Sequence, residues 1–115
     1  MNQSKGKFGE EAASLYLQNK GYKIVARNYR SPQGEIDIIC TFDNDLIFVE
    51  VKTRTSTRFG FPEEAVTRKK INTIRKASQY YISEHTTYYN EIRFDVISVL
   101  IESDCPVINH IEAAF

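Results

Sequence analysis

Apolar positions along the chain repeat with two different periods, and the two alternate in a definite order. In "SKGKFGEEAASLYLQNKG" Phe8, Ala12, Leu15 and Tyr16 recur at helical spacing, and Gly21 stands where a left-handed residue would end the helix. "YKIVARNYR" then reads as a strand that runs into the turn "SPQG". Two further apolar, β-prone stretches follow, "GEIDII" and "LIFVEVK", separated by "FDND". The segment "TRTSTRFGFP" is too polar, and too broken by Gly60 and Pro62, for regular structure and is expected to be a mobile loop. Thr67 can cap a second helix in which Ile71, Ile74, Ala77, Ser78, Tyr81 and Ile82 form one stripe, with Arg68, Lys69, Arg75 and Lys76 mostly off it. "IRFDVISVLI" has the nearly continuous apolar pattern of an interior strand, and "VINHIEAAF" adds a last, weaker one. The order helix, three strands, helix, strand predicts an α/β fold with a mixed β-sheet flanked by helices. A strand, helix, strand connection returns right-handed and makes a parallel pair.

The two central strands carry charges where a buried sheet should have none: Glu35 and Asp37 in the first, Glu50 and Lys52 in the second. If their turn centres on Asp43 and Asn44, residues tolerant of left-handed backbone, Thr41 faces Leu46, Ile39 faces Phe48, Asp37 faces Glu50 and Glu35 faces Lys52. All eight then share one sheet face, apolar near the turn and charged at the far end. The opposite face, Ile36, Ile38, Ile47, Val49 and Val51, is wholly apolar and needs a helix to cover it. Like charges directly opposed across an antiparallel pair are destabilising, so Asp37 and Glu50 call for either a shared proton or a cation between them. Mg²⁺ is commonly held by one or two carboxylates together with substrate phosphate and water, and Lys52 points toward the same region. Two readings of Lys52 follow from the spacing. It positions a water or stabilises a phosphate, or it neutralises Glu35 and Glu50 in an ion-pair cluster.

Length and composition set the frame for that choice. At 115 residues the chain is expected to form one domain, 1–115, burying roughly two thirds of its unfolded surface. Hydrophobic residues at 42 % and charged residues at 26 % are ordinary for a soluble globular protein. The longest uncharged stretch, "AASLYLQN", is eight residues, far short of a membrane span, and no apolar signal core opens the sequence. Cys40 and Cys105 are single and far apart, which fits reduced thiols in a cytoplasmic protein. The net charge is zero but uneven: residues 52 to 76 hold eight cations, Lys52, Arg54, Arg58, Arg68, Lys69, Lys70, Arg75 and Lys76, against Glu63 and Glu64. Such a run is a solvated helix face or a track for phosphates. His85 and His110 are isolated and read as structural. One tyrosine of each pair, Tyr80-Tyr81 and Tyr88-Tyr89, is expected to complete the core and the other to be free to stack on bases.

Asp37 followed by Glu50-Val51-Lys52 on the next strand, after a helix bearing Glu10, resembles the PD-(D/E)xK nuclease superfamily, whose restriction-endonuclease-like core has this element order. More narrowly, "GKFGEEAASLYL", "GYKIVARNYR", "GEIDII", "FVEVKTR", "FGFPEEAV" and "RFDVI" together resemble the YraN-like family of small bacterial proteins, related in fold to archaeal Holliday junction resolvases. One departure is that Ile36 stands where the superfamily motif has proline. The resemblance implies that Asp37 and Glu50 hold Mg²⁺ or Mn²⁺, that Lys52 serves the attacking water or the phosphate, and that Glu10 has a supporting acidic role. Glu10 also has a plainer reading as a first-turn acid favourable to the helix dipole. Glu35 is a partner of Lys52 or an outer ligand. Arg54, Arg58, Arg68, Lys69 and Arg75 are the candidate nucleic-acid contacts. The function implied is a metal-dependent nuclease acting on structured or branched DNA. The alternative is a module on the same fold that grips nucleic acid or a repair partner without cutting. The expected oligomeric state is a monomer or weak homodimer, with "TRTSTRFGFP" (Phe59, Phe61) and the C-terminal "AAF" as candidate contacts.

Overall fold

Helix, three strands, helix and two further strands follow one another as the periodicities require. The computed structural model describes residues 2–55, 66–85, 87–101 and 105–115. Its elements are α1 (Asn2–Asn19), β1 (Lys23–Ser31), β2 (Gly34–Phe42), β3 (Asp45–Arg54), α2 (Arg68–Ser83), β4 (Ile92–Leu100) and β5 (Val107–Ile111). Arg58, Phe59 and Phe61 lie outside the described residues.

The strands form one five-stranded sheet in chain order, β1-β2-β3-β4-β5. β3 and β4 are parallel and the other neighbours antiparallel. The hairpin register follows from its turn. Asp43 (φ 51°) and Asn44 (φ 65°) both take left-handed backbone, and Thr41 faces Leu46, Ile39 faces Phe48 and Ile38 faces Val49 as expected. α1 closes on Gly21 (φ 96°), where the Tyr22 N–H donates to the Leu17 carbonyl (2.9 Å) and the Gly21 N–H to that of Gln18 (3.0 Å). Those two hydrogen bonds satisfy two carbonyls the helix end would otherwise leave open. α2 begins where Thr67 caps it, its hydroxyl accepting from the Lys70 N–H at 3.2 Å.

The helices cover opposite faces. Ala13 and Leu17 of α1 pack on Ile38, Cys40, Ile47, Val49, Ile97 and Val99. Ile74, Ala77 and Tyr81 of α2 pack on Ile39, Leu46 and Phe48. Ile36 departs from the expected alternation: it belongs with the α2 cluster and not with Ile38. The reason is local. Arg27 pairs with Ile38 and Tyr29 with Ile36, which puts Asn28 opposite Asp37, and Asn28 has φ 53°. A left-handed residue in β1 at that point goes with a change of face around residue 37, as an irregular strand position re-aims its neighbours. Two close approaches fix the helices over the same end of the sheet. A Cβ on Gly9 would coincide with Thr53 of β3, and one on Gly34 would run into Thr73 of α2. Gly9 and Gly34 are there because only hydrogen fits.

A second charged cluster is buried on the α1 side at the start of β4. Asp95 is fully buried, and its carboxylate accepts from Arg93 Nε and Nη2 (2.9 Å each), from His110 Nε2 (2.7 Å) and from the Ala113 N–H (3.0 Å). His110 Nδ1 is hydrogen-bonded to the Tyr16 hydroxyl at 3.1 Å, so both ring nitrogens are held within the fold and the histidine is structural, as read. Burial opposes the Asp95 charge, but the bonds from His110, Arg93 and the Ala113 N–H outweigh it and hold the carboxyl below its ordinary range. His85, the other histidine, stacks on Tyr81 and donates to its carbonyl at 2.7 Å. Tyr81 and Tyr89 join the core while Tyr80 and Tyr88 face solvent. Phe115 stacks on Phe94 of its own chain at 5.4 Å, so this part of "AAF" is used internally. Cys40 is buried, Cys105 is exposed and neither forms a disulfide. No helix among the described residues is long and apolar enough to cross a membrane.

Candidate active site

The charged end of the hairpin is where the β2–β3 ladder stops. Its pairs run from Phe42–Asp45 to Ile38–Val49 and go no further. Asp37 therefore does not pair with Glu50 across a ladder, as the extrapolated register required. Its Oδ2 instead accepts a hydrogen bond from the Val51 N–H at 2.8 Å. A side chain has taken the place of a backbone carbonyl, which satisfies the amide and holds Asp37 at the seam between the strands.

Glu50 sits deeper. On β3 it follows Phe48 on the α2 side, pairs with Val96 and is 5 % exposed. Lys52 Nζ lies 3.4 Å from Glu50 Oε2, so the pair expected between them is present, with the carboxylate buried and the ammonium partly exposed. The same oxygen has a second ammonium partner, Lys70 Nζ of α2 at 3.7 Å. Lys70 was not among the expected site residues, although its place was legible. It stands four residues before Ile74, on the helix stripe that continues through Ala77, Ser78 and Tyr81 into the core. A lysine at the head of a buried stripe needs an anion beneath it, and Glu50 is that anion.

Electrostatics at the seam are dominated by burial. The Asp37 carboxyl is pushed up to about 7, first because it is desolvated and then because Glu50 is near, with the Val51 N–H and Lys70 pulling the other way. Glu10 reaches the same neighbourhood from α1. Its carboxyl is raised by burial and by Asp37, and a hydrogen bond from the Asn28 side chain and the charge of Arg27, 3.9 Å away, oppose the rise. Asn28 is thus a second residue that pattern reading passed over: its left-handed backbone bends β1 and its amide meets Glu10. Glu35 is not the partner of Lys52; it pairs with Arg30 across the β1–β2 ladder at 3.1 Å, both side chains largely in solvent. The change of face around residue 37 separates Glu35 from Lys52.

Two half-buried or buried carboxylates, one of them short of charge, suit a hard divalent cation that takes its remaining ligands from water and phosphate. Among the described residues no three histidine, cysteine or acidic side chains converge on one point, so of these residues only that pair would serve as ligands. Of the cations expected to meet nucleic acid, Arg68 and Lys69 are exposed in the first turn of α2. Arg54 ends β3 opposite Leu100. Arg75 lies over the rings of Phe94 (6.0 Å) and Phe115 (5.9 Å), so its guanidinium has a packing role.

The sequence matches Uncharacterised protein family UPF0102 over residues 9–99. It is 50 % identical over 115 residues to a UPF0102 protein of Syntrophomonas wolfei, with all of both chains covered. It is 48 % identical over 117 residues to one of Alkaliphilus oremlandii, again over the full length of both. A third, from Clostridioides difficile, is 48 % identical over 115 residues, covering 99 % of this chain and 98 % of the relative. Identity at this level, end to end and including the strands that part at Asp37, assigns the chain to the UPF0102 family, the YraN-like group its segments resemble.

Proposed function

We propose that the protein is a metal-dependent nuclease of the PD-(D/E)xK type, hydrolysing phosphodiester bonds in structured or branched DNA. One observation carries the reading: half-buried Asp37 and buried Glu50 lie close enough to act on each other at the point where two strands separate, with Lys52 beside Glu50. Asp37 and Glu50 would hold Mg²⁺ or Mn²⁺. When bound, such an ion polarises a phosphoryl oxygen and lowers the pKa of a bound water. Lys52 orients that water or stabilises charge on the phosphate, from a β-strand whose backbone is held there by its pairing with Ser98 of β4. Glu10, tied to Asn28, adds negative potential without itself pairing with a lysine at the seam. Arg68 and Lys69 line the approach and contribute attraction that does not depend on base sequence.

The test is incubation with Mg²⁺ or Mn²⁺ and labelled single-stranded, duplex, flap and four-way DNA, with Asp37→Ala alongside. Cleavage that requires the ion and disappears in the mutant supports the enzyme. A second reading has its own observation, that Glu50 already has two ammonium partners and is neutralised without any ion. A gel shift with no cleavage under any metal would select that binding module. In solution a monomer or weak homodimer is expected, with assembly on branched DNA. Sedimentation with a four-way junction reads this directly, and one protein per junction at saturation would remove the analogy with junction resolvases.

The raised carboxyl also sets a pH dependence. Between the ordinary 3.8 and about 7 the folded chain keeps the Asp37 proton that the unfolded chain has released. Native protein binds more protons there, so this group makes stability fall as pH rises through the window. Asp37→Asn should flatten that slope. Saturating Mn²⁺ at pH 7.5 should raise the melting temperature, since a ligand at about 100 times its Kd adds about 2.7 kcal/mol. Glu50→Gln should erase the rise. Identical melting curves with and without Mn²⁺ would count against the site.

A further inference from the structure

Lys70 has no role in the nuclease reading, yet it reaches from α2 to the buried carboxylate. Two lysines from different elements converge on a single oxygen, Glu50 Oε2, at 3.4 Å and 3.7 Å. Charge counting shows what this arrangement can do. Asp37 and Glu50 with Lys52 and Lys70 balance when the carboxylates are ionised, so the site as folded lacks no cation. A divalent ion between the carboxylates leaves two positive charges in excess, and the nearest ammonium must find another anion. Lys52 is 29 % exposed and rooted on a strand held by its pairing with β4. Lys70 is 41 % exposed, on a four-carbon stem at the open start of a helix, and is the one able to turn away.

Resting on the nuclease reading, we propose that Lys70 is a displaceable counter-cation: it holds Glu50 until a divalent ion arrives, then transfers to a phosphate oxygen of the nucleic acid. The lysine thereby links the two binding events. Without metal it shields the carboxylate and leaves DNA with little to hold at the seam. With metal it becomes a positioning residue for the phosphate, placed there by α2. The arrangement accounts for a lysine, and not an apolar residue, at the head of the buried stripe of α2.

Mn²⁺ affinity measured by calorimetry on the intact protein tests the displacement. Lys70→Met keeps the stem and removes the competitor, so Mn²⁺ should bind about fivefold more tightly, the equivalent of about 1 kcal/mol for a partly exposed pair. Lys70→Arg keeps the charge and should bind Mn²⁺ like the wild type, which guards against a general effect of substitution at this position. Lys76→Met removes an exposed charge elsewhere on α2 and controls for long-range attraction; it should leave Mn²⁺ affinity unchanged. The second arm measures retention of a four-way DNA with Ca²⁺ or with EDTA. The wild type should gain affinity from Ca²⁺, Lys76→Met should keep that gain and Lys70→Met should lose most of it. Binding of Mn²⁺ that depends on Asp37 but is unaltered or weakened in Lys70→Met would overturn the proposal and leave the metal site standing. Absence of Asp37-dependent Mn²⁺ binding in the wild type would overturn both.

Discussion

Lys52→Ala is expected to slow metal-dependent cleavage by about 10²–10³-fold while changing DNA affinity little, because a donor aimed at charge that develops in the transition state is worth that much. Its ammonium is fixed by the parallel ladder that pairs Lys52 with Ser98 and by the contact with Glu50. It meets one phosphate at most. Arg68 and Lys69, exposed at the start of α2, should behave in the opposite way. Removing either should weaken binding to all sequences and reduce the salt dependence by a slope of about one, with the turnover of bound DNA preserved. Arg75 differs from both because it covers two aromatic rings, so its removal should also lower stability. Single-turnover rates at saturating enzyme separate chemistry from binding. If Lys52→Ala and Lys69→Ala lose the same quantity, the division of roles fails.

The largest expected loss of stability lies elsewhere, at Asp95→Ala. Removing this carboxylate leaves Arg93 without its bidentate acceptor, His110 without a partner for Nε2 and a backbone N–H at Ala113 open. Deleting one member of a buried charged pair costs about 3–5 kcal/mol. For a chain of this size that lowers the melting temperature by more than about 10 °C. Because the native carboxyl is depressed, its contribution is present above the unfolded value and is lost as pH falls below it, opposite in sign to Asp37. A thermal shift of only a degree or two would mean that the network adds little beyond packing. The change should leave metal binding intact, since Asp95 lies on the α1 face and Glu50 on the other.

Much of this molecule was legible because a few residues leave the chain no choice. Asp43 and Asn44 accept left-handed backbone, so the turn, and through it the register of β2 and β3, followed from two letters. Period and capping located both helices, and the tyrosine pairs divided between core and surface as expected. What alternation could not show is the change of face around residue 37. It goes with one left-handed asparagine in the neighbouring strand, and Asn occurs in many strands and turns without bending them. That single event moved Ile36 to the α2 side, turned Glu35 toward Arg30 and ended the ladder at Asp37. Lys70 and Asp95 were missed for a different reason. Lys70 heads an apolar stripe and its anion lies on another element, while Asp95, although Arg93 stands two residues before it on the same strand, also takes His110 and the Ala113 N–H from a segment whose register the sequence does not give. Such a residue is itself the signal, even when its partner is unknown.

The hydrogen bond from the Val51 amide to Asp37 makes the backbone a reporter of the site. An amide in a regular ladder sees a neutral carbonyl at every pH, whereas this one sees an acceptor whose charge changes near neutrality. Its proton resonance should therefore move with the protonation of one side chain and stop moving once that side chain is committed to an ion. Exchange of the same amide with deuterated solvent should slow as the acceptor becomes fully charged. Occupancy of a candidate metal centre is then readable from one backbone position, in protein bearing no mutation and with no nucleic acid present.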